Sequence, residues 1–162
     1  MSLILLEGMD KVGKSTVAQH FVDQGYEYVH MSAPAKGHTH ATYLVEMLGI
    51  ISNTANKNVI VDRSWHGELI WPSVYGRESL LSQSDVLLLN MISQTLHNQD
   101  VKYYYMYDDN KKTHKARLRK FKEPSYDYDM VYNLYEDVMG DYMFEFLTFQ
   151  DAEARGWISK NV

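Results

Sequence analysis

The chain has no cysteine. That excludes disulfide frameworks, thiolate zinc sites and thiol nucleophiles. Proline is scarce, three in 162 residues, and no Pro/Gly-rich linker, internal repeat or low-complexity run divides the sequence. Long apolar runs are missing too. The apolar start, Met1–Leu6, is far shorter than the roughly 20 residues a spanning helix needs, and too short for a signal peptide. Nor is there an excess of positive charge: at a net −5, the molecule as a whole is unsuited to general nucleic-acid binding or to a membrane surface. Apolar residues make up 45%, enough for a real core at this length, which argues against disorder. The class left standing is a cytoplasmic enzyme or binding domain, one domain over 1–162.

Apolar runs and helical patterns alternate along the chain. Leu3–Leu6 (LILL) reads as a buried strand and 14–24 as a helix, with Val17, Ala18 and Phe21 on one side. Tyr26–Met31 alternates like a strand. Residues 40–52 form a helix with Leu44, Val45, Met47, Leu48 and Ile51 apolar. Asn58–Asp62 (NVIVD) is a β-branched strand. Ser84–His97 is apolar nearly all round and is expected to be a buried helix. Val101–Tyr107 is a strand; Lys111–Lys120 and Tyr126–Phe146 are helical. A last strand falls at Phe146–Phe149 or at Gly156–Ser159. This order predicts an α/β fold, a parallel sheet with helices on both faces.

Between the first strand and the first helix stands "EGMDKVGKST". Gly8-x4-Gly13-Lys14-Ser15 has the spacing of a phosphate-binding loop, in the right strand–helix context. The glycines let backbone N–H groups turn inward on a β-phosphate, and the helix N-terminus adds partial positive charge. Lys14 supplies a point charge to the β- and γ-phosphates, and the Ser15 hydroxyl suits Mg²⁺. The loop from Gly8 through Asp10, Lys11, Val12 and Gly13 to Lys14, Ser15 and Thr16 is therefore a candidate ATP site. No Asn-Lys-x-Asp guanine signature favours GTP.

"VIVDRSWHGELIWPSVYGR", Val59–Arg77, carries the next cluster. Asp62 and Arg63 sit at the end of a predicted parallel strand, the edge that faces ligands in open α/β sheets. Asp62 suits a water-held Mg²⁺ or an acceptor. Arg63 offers a planar fork for a second phosphate. The bland alternative is a pair that merely caps a strand and a helix. Within the loop, Asp10 can accept from an acceptor hydroxyl and Lys11 can reach a transferring phosphoryl group; the alternative is a solvated pair. Trp65, Trp71, Tyr75 and Tyr43 are candidates to stack on an acceptor base, and Arg77 to add a cation there. Thirteen tyrosines mean that most aromatics serve the core, so the type alone does not choose among them. His66 and Glu68 show no metal-ligand spacing and read as structural or substrate-shaping. "EPSYDYDMVYNLYEDV" reads as an amphipathic helix without chemistry.

"KKTHKARLRKFK", Lys111–Lys122, is a local basic patch in an acidic protein. Most such runs are solvated helix faces. Its place, after a strand and before a long helix, also fits a mobile lid over about 108–125 that brings Arg117 and Arg119 onto the triphosphate.

These three stretches together resemble the thymidylate kinase family of nucleoside-monophosphate kinases over roughly residues 3–135. "EGMDKVGKST" is similar to that family's loop, "VDRS" to its Asp-Arg motif, and "RLR" lies where its lid would be. The resemblance implies a three-layer P-loop kinase fold. It implies ATP and Mg²⁺ on Lys14 and Ser15, an acceptor sugar on Asp10, an acceptor phosphate on Arg63, and lid roles for Arg117 and Arg119. Dimerisation is an expectation by analogy alone. The run Asp62-Arg63-Ser64-Trp65-His66-Gly67-Glu68 departs from the family's Asp-Arg-Tyr. It is closer to short kinase-like proteins common in bacteriophages, where the compartment would be host cytoplasm, and resembles the Glu-Arg-Ser motif of deoxynucleoside kinases.

A monophosphate acceptor is already ionised and needs cations against like-charge repulsion. A nucleoside hydroxyl needs a carboxylate to take its proton. Lys11, Arg63 and Arg77 favour the monophosphate. Asp62 keeps the nucleoside open, and a polynucleotide or small-molecule kinase or a non-enzymatic nucleotide binder remains behind both.

Overall fold

The computed structural model describes residues 1–121 and 126–158. Residues 122–125 of the expected lid, and Ser159 of the second candidate last strand, lie outside them. The elements run β1 Leu3–Glu7, α1 Lys14–Asp23, β2 Glu27–His30, α2 His40–Asn53, β3 Val59–Asp62, a 3-10 turn Trp65–Leu69, α3 Trp71–Tyr75, α4 Gln83–Leu96, β4 Val101–Met106, α5 Lys111–Lys120, α6 Tyr128–Asp141, β5 Glu145–Leu147 and α7 Phe149–Ala154. Among the described residues the sheet has five strands, all parallel, in the order β2-β3-β1-β4-β5.

Strand β1 explains the layering. All five of its residues are buried, because a central strand is covered on both faces. Ile4 and Leu6 pack with Val17, Phe21, Leu118, Val131, Tyr135 and Ala152, from α1, α5, α6 and α7. Leu3 and Leu5, one residue out of phase, pack with Tyr43, Met47, Ile51, Val86 and Leu89 from α2 and α4. The period of two thus builds two cores around one sheet, the expected arrangement of helices on both faces. A fully parallel sheet also brings every strand's carboxyl end to one edge.

The structure corrects three expectations. The long helix does not reach Phe146: α6 stops at Asp141, Met143 takes a left-handed φ of 60°, and the chain turns into β5, where Glu145 pairs with Tyr104. The last strand among the described residues is therefore Glu145–Leu147, and Phe149 already opens α7. Helix α4 is not buried all round. Val86, Leu89 and Ser93 face inward, while Leu87, Leu88 and Met91 are exposed, since its packing against α2 and the 3-10 turn uses one side only. Two short helices, α3 and α7, go beyond the sequence reading; α7 is announced by a Thr148–Asp151 capping box. Among the described residues, no helix is long and apolar enough to cross a membrane.

Candidate active site

The loop after β1 holds its shape for steric reasons. Gly8 has a φ of 152°, and a Cβ there would stand 2.4 Å from the Met106 carbonyl oxygen of β4. Backbone does not yield to such contact, so the position admits only glycine. Gly13, at φ 99°, would put a Cβ 2.6 Å from the Phe149 ring. α1 begins at once with Lys14, so its unpaired N–H groups face the loop. The Lys14 ammonium is buried and donates to the Met9 carbonyl at 2.6 Å. Burial, with Arg63 adding to it, lowers its pKa to about 8. An anion arriving in the loop would restore the charge that burial opposes.

The turn after β3 forms the other wall. Arg63 adopts a φ of 66° while its N–H donates to the Leu6 carbonyl at 2.8 Å. This kink carries the guanidinium to the Asp10 carboxylate, with which it forms a hydrogen-bonded ion pair. Asp62 is buried. Its Oδ2 accepts from the Tyr28 hydroxyl at 2.8 Å, and its Oδ1 is buried with no hydrogen-bond partner among the described residues. Asp62, Ser15, Thr16, Lys14, Lys11 and Arg63 line one cavity of about 290 Å³. A buried, unpartnered carboxylate oxygen sharing a cavity with a loop serine fits Mg²⁺ held partly by water and by phosphate oxygens. Among the described residues there is no cluster of three His, Asp or Glu that would hold a metal without a nucleotide.

A larger cavity, about 390 Å³, adjoins this one. Arg63 and Asp10 line both cavities. Tyr43, Trp71, Tyr75 and Arg77 line it as well. Arg77 is held by Glu68 through two bonds of 2.5 and 3.1 Å, which push its pKa further up. Trp65 does not belong here. It is buried in the core on the other face, its Nε1 donating to Asn90 Oδ1 at 2.8 Å. Trp71, six residues on, lines the cavity instead.

Glu7, absent from the sequence-level candidates, also lines this cavity. Its Oε1 accepts from the Ser64 N–H at 2.6 Å and from Ser64 Oγ at 3.0 Å. Burial raises its pKa, against the pull of the Ser64 amide and Arg63. Ser64 Oγ in turn accepts from His66 Nδ1 at 2.8 Å. His66 is fully buried among Trp65, Tyr103, Tyr142 and Phe144, and burial lowers its pKa to about 3. The signal for Glu7 was in the sequence: a charged residue ending a wholly apolar strand is an anomaly.

Helix α5 grips the loop from outside. His114, neutral because burial lowers its pKa, donates from Nε2 to the Asp10 carbonyl at 2.8 Å and accepts from the Tyr128 hydroxyl at 2.7 Å. Arg117 donates to the Lys11 carbonyl and, at 2.8 Å, to Asp108 Oδ2. The Lys11 ammonium lies 4.4 Å over the Phe121 ring. Lys11, Val12, Gly13, Arg117, Phe149 and Gln150 border a third cavity of about 380 Å³. Arg119 is exposed and lines none of these cavities; two residues from Arg117, it points off another side of the helix.

No family model matches the sequence, and no curated protein matches it. Solved structures do. YorR from Bacillus subtilis, solved in complex with phosphorylated GDP, superposes with a TM-score of 0.72 at 23% identity, over 91% of this chain and 85% of that one. Polyphosphate kinase 2 from Arthrobacter aurescens gives 0.54 at 18%, over 87% of this chain and 54% of that one. Thymidylate kinase from Candida albicans gives 0.50 at 15%, over 96% and 89%. The fold is that of the P-loop kinases. In this P-loop kinase fold the loop after β1 and the turn after β3 are neighbours because β1 and β3 pair, Leu6 opposite Asp62.

Proposed function

We propose that the chain is a single-domain kinase that transfers the γ-phosphoryl group of ATP to a (deoxy)nucleoside monophosphate. The observation that carries this is the position of Arg63, which lines both the loop cavity and the adjoining aromatic one. A planar cationic fork at that junction suits two anionic phosphates that must approach each other. Lys14 and the loop amides bind the triphosphate. Ser15 and Asp62 would hold Mg²⁺, which would supply positive charge against the phosphate oxygens. Arg63 holds the acceptor phosphate and Asp10 its sugar. Trp71 and Tyr75, 5.7 Å apart and stacked, offer a wall for the base, with Tyr43 lining the same cavity and Arg77 as a donor. The third cavity takes the ATP base, and Arg117 acts from the lid helix α5. The site works in the cytoplasm, with no membrane and no general nucleic-acid partner, and as a homodimer by analogy with related kinases.

One observation favours a second acceptor. Glu7 is a buried carboxylate of raised pKa in the acceptor cavity, a group able to take a proton from a 5′-hydroxyl. Paired acceptors decide between them. With Mg-ATP, each nucleoside is assayed beside its 5′-monophosphate, guanine nucleotides included because YorR was solved with one. The monophosphates should be used in preference. Arg63→Ala should raise their KM by roughly 10- to 100-fold, the loss of a charge-assisted contact, and change the KM for ATP less. Preference for nucleosides, with Glu7→Gln inactive, would replace the monophosphate reading by the nucleoside one.

A further inference from the structure

His30 ends β2, outside both motifs. β2 is an edge strand, yet its register sets His30 opposite Asp62, on the sheet edge that carries the site. Its Nδ1 is 3.6 Å from Asp62 Oδ2, too far for a hydrogen bond, and Tyr28 already donates to that oxygen. The ring is 48% exposed. What it borders is specific. The loop cavity and the acceptor cavity have three lining residues in common, Asp10, Arg63 and His30. Asp10 and Arg63 are bound to each other. His30 is the shared side chain whose ring makes no hydrogen bond among the described residues.

We propose that His30 is a further catalytic residue, its imidazole N–H donating to the phosphoryl group as that group passes from one cavity to the other. The inference rests on the kinase function proposed above. In that transfer the bond from the γ-phosphorus to the β–γ bridging oxygen breaks, its electron pair staying on the leaving diphosphate. A bond forms from an acceptor phosphate oxygen to the phosphorus. The acceptor oxygen is already ionised, so no proton moves. Charge spreads over the three equatorial oxygens at the midpoint, and a donor fixed beside that point acts more on the transition state than on either bound substrate. A neutral imidazole carries one N–H, and an anionic oxygen selects the tautomer that presents it. A ring that only braced Asp62 would sit within hydrogen-bond reach of it, which this one does not.

The test uses His30→Ala and His30→Gln in the full chain, with kcat, both KM values and the Mg²⁺ concentration for half-maximal rate. His30→Ala should lower kcat by roughly 10- to 100-fold and leave the two KM values and the Mg²⁺ dependence within about threefold. His30→Gln, which keeps an N–H donor, should recover part of the rate. An unchanged kcat overturns the inference. So does a loss confined to Mg²⁺ dependence or to the KM for ATP, which would place the ring behind Asp62. If the wild type prefers nucleosides, the monophosphate reading fails while the same kcat and KM split still judges His30. If no acceptor is used, the probe is ADP with aluminium fluoride, a planar phosphoryl mimic. His30→Ala should weaken its binding and not that of ADP alone; equal weakening, or none, overturns the inference.

Discussion

The hydroxyl of Tyr28 donates to Oδ2 of Asp62 at 2.8 Å, and Asp62 Oδ1 is left buried without a partner among the described residues. An edge strand thereby fixes the carboxylate at the end of its neighbour and occupies one oxygen while leaving the other for the loop cavity. Burial, with the Asp62 contact, raises the Tyr28 pKa to about 12, so it remains a donor at neutral pH. A buried acceptor without a partner costs about 1–3 kcal/mol. A metal-bound water at Oδ1 would remove that cost.

Tyr28→Phe frees Oδ2 and lets the carboxylate rotate. The Mg²⁺ concentration for half-maximal transfer should rise by about tenfold, the scale of a lost partner behind a metal ligand. Asp62→Asn should cost more in the same titration. An unchanged Mg²⁺ dependence in both variants would remove Asp62 from the metal site.

Lys14→Ala removes the buried ammonium that donates to Met9 and that an ATP phosphate would claim. The rate should fall by about two to three powers of ten or more, with the melting curve close to that of the wild type, since burial already opposes its charge. Turnover near the wild-type level would dismiss the loop as the donor site.

Arg117 and Arg119 separate sharply in the structure, although they stand two residues apart in the sequence. Arg117→Ala breaks the contact to the Lys11 carbonyl and should lower kcat by roughly 10- to 100-fold through lost closure. Arg119→Ala should stay within about twofold, because the side chain is exposed and lines none of the three cavities described above. Single-turnover rates on the two variants check this, and equal losses would mean that the helix rotates on closure.

His66 stays neutral in the folded chain down to about pH 3, whereas in an unfolded chain an imidazole takes up its proton near pH ~6.5. Between those values the unfolded state holds the extra proton, so stability falls as pH drops through the window, by up to about 1.4 kcal/mol per pH unit. His66→Phe should be less stable at pH 7, having lost the bond to Ser64, and should show a shallower fall from pH 6.5 to 4.5. Urea midpoints at intervals across that range measure it. A slope equal to the wild type's would assign the acid sensitivity elsewhere.

The sequence by itself determined the parts that are local. A short apolar strand, a glycine loop of fixed spacing and a helix start at Lys14 are contiguous, so spacing alone specifies their geometry. The alternation of strand and helix fixed the parallel sheet, and with it the meeting of the Gly8–Thr16 loop and the Asp62–Arg63 turn on one edge. The apolar residues of 84–97 predict a buried α4, but which of its sides is covered depends on where α2 and the 3-10 turn pack. Only the tertiary structure decided between Trp65 and Trp71. Both follow Arg63 closely and both are large apolar rings. Which one faces the cavity depends on the 3-10 turn after Ser64, and that turn is anchored by the carboxylate of Glu7, 57 residues earlier. Arg117 and Arg119 were likewise equivalent as charges; the contacts of His114 and Arg117 with the Asp10 and Lys11 carbonyls set the face of α5 that meets the loop. His30 carries no motif, and Glu7 only opens the loop motif, outside its phosphate-binding part. They reach the site because His30 stands opposite Asp62 and Glu7 one residue past Leu6, Asp62's partner on β1, a matter of strand register, and register is set by the packing of both sheet faces rather than by any one segment.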